Sequence, residues 1–350
     1  MKVRLAADGD KDRWNEFVFN LSDCPSYLYE WKEILERVYK YDCKYLMVEE
    51  RHRVVGVFPT ATLRSKLFGV RIFSLPFSDY GGPLFATEEA VCSSLGLFLD
   101  SLSSDLDEAD YLEVRSPTQA NVHACLNKTF EPGKVTYLTF IIDLNKPYEE
   151  IWRHKFGKYL RNAIRKAVKN RIYVIEKSSR ENLYSFYNLY LLTMKKLGSP
   201  PHGLEFFEAC FDLLGDRRVK LFEAMISDKV IGAVVAFVGR HTIYPAYEGI
   251  DPKYRNLNAA SLLFNQIIKW GCENGYQLFD FGRTLPGSGV YRFKKPWGGE
   301  EKLSPYYYMG KKIPQQDPRE EYRILSKVWS KTPISIAKRL GPYVKGGIGH

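Results

Sequence analysis

The sequence predicts an α/β protein built from two duplicated halves, each with a mixed sheet. Three observations carry this reading. Runs rich in Val, Ile, Tyr and Phe alternate with amphipathic helical stretches along the chain. YLMVEERHRVVGVFP in the first half resembles KLFEAMISDKVIGAVVAF in the second, which sets Gly56 against Gly232. The helix-strand unit ending YLEV likewise resembles the one ending LFDF, with Glu113 against Asp280. In each half a later helix crosses between neighbouring strands.

Residues 10–40 read as two short helices, with Asp10 or Asp12 capping the first and Ser26 the second, where Leu28, Trp31, Leu35 and Val38 recur at helical spacing. Residues 45–50 and 54–67 flank the turn RHR as a hairpin, extended by a strand at 70–76. Gly81, Gly82 and Pro83 break that pattern; an amphipathic helix at 88–104, a strand at 109–117 and a long strand at 135–144 close the first half.

The second half opens on IWRHKFGKYLRNAIRKAVKNR, a helix with an apolar stripe of Phe156, Leu160, Ala163, Ile164 and Ala167. Arg153, Lys155, Lys158, Arg161, Arg165, Lys166, Lys169 and Arg171 give it a positive face with no acidic neighbour. A strand, helices at 181–197 and 204–214, three strands and a helix from Asn258 to Glu273 come next. Tyr276 to Tyr308 reads as strand, long loop, strand. Gly282, Pro286, Gly287 and Gly289 let the loop fold tightly and bring Arg292, Lys294 and Lys295 over the end of the sheet. Beside Phe293 and Trp297 these cations form a wall suited to an anionic ligand or a developing oxyanion; the competing reading is a solvated loop with inward-packed aromatics.

From Arg319 the chain turns basic and amphipathic, with Ile324, Leu325, Val328 and Trp329 on one helical face and Arg323, Lys327 and Lys331 on the other. Pro333, Gly341 and Pro342 break the stretch beyond Lys331. Such a tail either lies on an anionic membrane or docks on its own domain, and the second reading is the more general one.

Composition sets further bounds. With 51 Lys and Arg against 41 Asp and Glu, the net charge of +10 favours anionic partners. The six cysteines, Cys24, Cys43, Cys92, Cys125, Cys210 and Cys272, show no CxxC spacing, which predicts reduced thiols in a cytoplasmic protein without a zinc site. Cys210 and Cys272 fall at core-like helical positions, where a thiol is inert. The charged N-terminus has no signal-like apolar core, and no stretch approaches the ~20 apolar residues of a membrane span. Phosphate-loop, zinc-protease and serine-hydrolase motifs are absent from the sequence.

KYLRNAIRKAVKN followed by a strand, the YPAYEG strand, the NAASLLFNQIIKW helix and FDFGRT…GVYRFKKPWGGE resemble the Fem family of aminoacyltransferases, the FemA, FemB and FemX type enzymes of peptidoglycan cross-bridges. VVGVFPTATLRSKLFGVRIFSLPFSDYGGPLF and WSKTPISIAKRLGP are similar to a Fem-like subgroup of exopolysaccharide and exosortase systems. The resemblance implies two tandem GNAT-like (acetyltransferase-type) domains, at 1–147 and 148–316, with the basic tail at 317–350. It implies transfer of an aminoacyl group from aminoacyl-tRNA to an amine of a cell-envelope precursor, with no cofactor and no metal. Lys294 is then the oxyanion-stabilising residue, assisted by Lys295 and Arg292. Arg161 is matched to the acceptor's phosphates or carboxylates, Arg165 shares that role or faces tRNA, and Tyr80 and Tyr247 are matched to groove tyrosines that sit after strands. Asp280 orients Arg283 or Lys294, helps accept a proton, or anchors loop backbone.

The sequence departs from the family in having no aspartate after the Gly82-Pro83 turn, so no dedicated general base is assigned and substrate-assisted proton transfer is the default. Two rivals remain. One is an acyl-CoA-dependent N-acyltransferase acting on an exopolysaccharide amino sugar, disfavoured because DPKYRNLNAAS lacks the RxxGxG/A turn. The other is a non-catalytic scaffold at the inner face of the membrane. No DNA partner is expected.

Overall fold

In the computed structural model, which describes residues 1–177, 180–314 and 322–349 apart from the side chains at 89, 90, 92 and 181, the duplicated pattern becomes two units. The expected tail boundary at 317 and the thiol of Cys92 therefore lie outside the described residues.

The first elements are β1 (Lys2–Leu5), α1 (Lys11–Leu21), α2 (Tyr29–Tyr39), β2 (Asp42–Glu50), β3 (Arg53–Ser65), β4 (Gly69–Phe73), β5 (Leu84–Phe85), α3 (Glu88–Ser101), α4 (Ser103–Glu108), β6 (Tyr111–Val114), α5 (Ala120–Thr129) and β7 (Glu131–Pro132). After them come β8 (Tyr137–Asp143), α6 (Tyr148–His154), α7 (Lys158–Lys169), β9 (Ile172–Glu176), α8 (Leu183–Leu197), α9 (Leu204–Leu214), β10 (Val219–Ile226), β11 (Lys229–Val238), β12 (Thr242–Ile250) and α10 (Ala259–Glu273). The remainder is β13 (Leu278–Asp280), α11 (Gly289–Lys294), β14 (Glu300–Ser304), β15 (Tyr307–Gly310), α12 (Arg323–Lys331) and α13 (Ile334–Ile348).

One sheet has the strand order β1-β2-β3-β4-β6-β15-β7, with β5 on β3, and the other β14-β8-β13-β12-β11-β10-β9. Taken from β9, the second order repeats the first. β4 runs parallel to β6 and β12 to β13, and helices lie in the chain between the strands of each pair. The aligned glycines fall at matching irregularities: Gly56 pairs with Val48 just before a register shift, and Gly232 pairs with Ala224 just before another. Glu113 and Asp280 are each the third residue of their strand, and both are buried.

Two strands are exchanged between the halves. β8, expected to close the first half, pairs with β13, placing Asp280 opposite Ile141, whereas β15 pairs with β6, placing Tyr308 opposite Glu113. The chain forms two compact units. One comprises Met1–Thr136, the segment from Ser304 and the residues from Tyr343; the other comprises Tyr137–Leu303 and the helical segment ending at Pro342. The first core includes Phe58, Ile72, Phe98, Leu112 and Leu126; the second includes Phe140, Ile164, Leu263, Ile267, Phe279 and Trp297.

Several local expectations are corrected. Asp10 stands at the α1 N-cap position without capping through its side chain, which instead receives Arg4 and the Ala7 amide. Ser26 bonds Ser78 Oγ at 2.6 Å, and the first amide of α2, Tyr29 N, finds Asn15 Oδ1 at 2.8 Å. The basic stretch 151–171 is two helices, because Gly157 brings the chain against Pro296 and its amide donates to Pro296 O at 2.8 Å. α13 runs through Gly341 and Pro342, since a glycine there allows the helix to approach Pro201. Its last residues dock in the first unit: Gly346 O accepts from Tyr41 Oη at 2.5 Å, Gly347 O from Arg71 and Gly349 O from Arg115 Nη2 at 2.7 Å.

Candidate active site

The second unit offers a site at the carboxyl ends of its parallel strands, the usual ligand position in α/β sheets. β12 and β13 pair only at Thr242 with Leu278 and Ile243 with Phe279, after which β12 runs on to Ile250. Opposite β11, Val235 pairs with Tyr247 and Ala236 with Pro245, so Ala246 is an extra residue that bends β12.

Behind β13 the chain makes a tight loop whose partners are polar. Asp280 Oδ1 accepts the Gly282 amide at 2.9 Å and the hydroxyl of Thr139 on β8. Lys294 is buried, and its Nζ donates to Gly282 O at 2.7 Å and Arg283 O at 3.0 Å. Asp280 and Lys294 thus hold the same two-residue loop from opposite ends. The Arg283 guanidinium lies 4.7 Å over the Tyr137 ring.

The expected long loop is in part a helix: Ser288 Oγ accepts the Tyr291 amide and starts α11. At ~100° per residue, Lys294 points away from Arg292, so the three cations do not share one wall. Arg292 and Lys295 are exposed, and Lys295 Nζ lies 3.1 Å from Tyr291 Oη. Trp297 is buried in the core beside Phe156, Phe264, Phe281 and Phe293.

The turn after α11 carries the start of α7. Gly298 has φ +70°, and a Cβ there would lie 2.2 Å from Lys155 O, so only glycine fits. Arg161, on the first turns of α7, donates through Nη1 to Trp152 O, Arg153 O and Phe156 O, satisfying carbonyls at the end of α6. Its Nε and Nη2 carry no hydrogen bond to a described residue. The guanidinium is therefore held rigidly by one nitrogen with its other edge available, a geometry that receives an oxyanion in bidentate fashion. Arg165 is exposed, stacks 5.6 Å over Trp152 and bonds Asn162.

Two expected groove tyrosines are placed differently. Tyr247 lies inside β12 rather than after it, among Tyr190, His202, Phe206 and Phe207, with ring centroids 5.2–6.1 Å away. It is half-buried there. Tyr80 belongs to the first unit, where it bridges Ser116.

Corresponding positions in the two units have diverged. Two residues beyond Glu113 stands Arg115, whose buried guanidinium fills the space after β6; two beyond Asp280 stands Gly282, without a side chain. Gly282, the parted strands and Arg161 all occur in the second unit. Burial pushes the Cys210 thiol up and that of Cys272 up to about 11, so neither supplies a thiolate nucleophile. Among the described residues no His, Cys, Asp and Glu cluster could hold a metal ion.

Sequence reasoning passed over Glu248, next to Tyr247 on β12, although an acid in an otherwise apolar strand is itself a signal. Desolvation pushes its carboxyl up to about 7. The residue keeps partial solvent contact, which screens the charge and lowers the linked energy. Because the folded value exceeds the ordinary 4.5, this group's contribution favours the fold most below pH 4.5 and is lost as pH rises towards 7. Glu248→Gln is expected to flatten that fall and to add about 1–3 kcal/mol at pH 8, read by urea unfolding across pH. An unchanged pH profile excludes the raised value.

Comparison with known proteins gives the class. Residues 154–295 match the family model described as Acetyltransferase (GNAT) domain. The fold is similar to a crystal structure of FemX, at 16% identity over 93% of this chain and 100% of that one, TM-score 0.67. It is also similar to the C-terminal domain of a putative lysylphosphatidylglycerol synthetase from Agrobacterium fabrum, at 12% identity over 91% and 96% of the two chains, TM-score 0.61. A tandem GNAT protein from the clavulanic acid pathway shares 10% identity over 90% and 99%, TM-score 0.55. No curated protein sequence matches the chain. The chain is an acyltransferase with a tandem GNAT-like fold. Within that class its fold is of the Fem type.

Proposed function

We propose that the protein is a Fem-like N-acyltransferase that moves an aminoacyl group from aminoacyl-tRNA to an amine of a cell-envelope precursor in the cytoplasm. The observation that carries this reading is Arg161, anchored at Nη1 by three carbonyls with its other edge available for a phosphate or carboxylate of the acceptor. The resemblance in KYLRNAIRKAVKN and FDFGRT…KKPWGGE supplies the donor and acceptor classes.

In the proposed reaction the amine nitrogen attacks the ester carbonyl. A C–N bond forms, the C–O bond to the tRNA ribose breaks, and the amine proton passes to the leaving hydroxyl within the substrates. Lys294 stabilises the intermediate oxyanion while keeping the 282–283 loop in place, and Asp280 fixes the same loop. Arg165 and the other exposed cations of α7 meet tRNA phosphates, whose binding weakens steeply with salt. No resident cofactor or metal enters this reading.

The parted strands β12 and β13 also suit an acyl-CoA donor, which keeps a CoA-dependent transferase as the second reading. A donor assay offering charged tRNAs and acyl-CoAs with a panel of envelope precursors separates them. Transfer from aminoacyl-tRNA is the expected result, and transfer from acyl-CoA alone overturns the proposal.

A further inference from the structure

We propose that α12 and α13 form a docking surface for an anionic lipid bilayer, on which this protein lies without spanning it. The expected division of α12 into one apolar and one cationic face is not what the structure contains. Trp329 packs inward, and Ser326 approaches Leu197 O at the end of α8, so that side of the helix is used in folding. Ile324 and Val328 face solvent, 77% and 57% exposed, on the same side as Lys327 and Lys331.

α13 repeats the arrangement. Ala337 and Gly341 are its buried side, Gly341 lying against Pro201. Ile336 and Leu340 recur at i and i+4 as an exposed pair with Arg339 beside them, whereas Lys338 is on the other side of the helix, its Nζ 5.8 Å over the Tyr187 ring. From Arg323 through Ile348 there is no Asp or Glu, whereas Arg323, Lys327, Lys331, Lys338 and Arg339 are exposed.

Charge and side-chain type together select the occupant. Cations alone suit any polyanion, but a nucleic acid offers no place for aliphatic Ile324, Val328, Ile336 and Leu340. A bilayer interface takes both: apolar side chains enter the acyl boundary while Lys and Arg meet anionic headgroups. No helix of the described residues is long and apolar enough to cross a membrane, which fits helices lying along the surface.

The test is sedimentation of the full chain with vesicles of phosphatidylcholine and with vesicles in which roughly a third is phosphatidylglycerol, beside a poly(U) binding arm. Binding to the anionic vesicles is expected, weakened by salt and absent from the neutral ones. Lys327→Glu with Lys331→Glu, and separately Ile336→Ser with Leu340→Ser, are each expected to weaken it by about tenfold or more. All four side chains are exposed, so thermal unfolding should be unchanged and certifies the fold of both variants. No vesicle binding, or binding that both variants retain, overturns the proposal. So does poly(U) binding lost with the lysines but kept without Ile336 and Leu340, when vesicles are not bound.

Discussion

Lys294→Ala is expected to lower turnover by about two to three orders of magnitude while the chain stays folded. Its ammonium is buried between Gly282 O and Arg283 O, so alanine leaves two carbonyls without this donor at a cost of about 1–3 kcal/mol. That loss is small against the ~5–15 kcal/mol that holds a domain, so urea unfolding should still show one cooperative folded population at assay temperature. The kinetic loss should fall on kcat rather than KM, because an oxyanion exists only in the transition state. Wild-type turnover in the variant removes Lys294 from the reaction. A raised KM with unchanged kcat assigns it to positioning the loop.

Arg115→Met should be the most damaging single change in the first unit. Its guanidinium donates to Glu113 Oε1 at 3.0 Å, Leu75 O at 3.1 Å, Ser78 O at 2.6 Å and Gly349 O at 2.7 Å, and lies 5.4 Å over the Phe73 ring. Glu113 is fully buried and also accepts Tyr308 Oη at 3.0 Å. Methionine preserves the volume but strips the counter-charge from a carboxylate with no access to water, which costs about 3–5 kcal/mol. Adding Glu113→Gln should return part of that loss, since the uncompensated charge is the main term. Urea midpoints of the single and double variants check this, and a single-variant loss below about 1 kcal/mol refutes it.

The duplication was legible because it is written in local chemistry. A glycine at a sheet irregularity and an acid at a strand end leave a mark that survives when most other residues have changed, so Gly56 with Gly232 and Glu113 with Asp280 located the repeat. The basic helix was legible from its period. The exchange of β8 and β15 was not, because strand pairing over such sequence distances leaves no periodic trace. α11 was hidden for another reason: six residues opening on glycine do not complete two turns, and their cations read as a loop. Arg161 and Lys294 were found as residue types, but their carbonyl partners come from other segments and define which edge or atom remains for a ligand.

The exchanged strands also decide when the chain is able to fold during synthesis. A ribosome that has delivered residues 1–136 has made most of the first unit, yet β15, which sits between β6 and β7, is still unborn. The carbonyl of Gly349, a partner of Arg115, arrives later still. Meanwhile β6 waits with an open edge and a buried-type carboxylate at Glu113. The second sheet also waits for a late strand, since β8 lies between β13 and β14, and β14 is Glu300–Ser304. The half that is translated first therefore acquires its full set of partners only once β15 and Gly349 have been made.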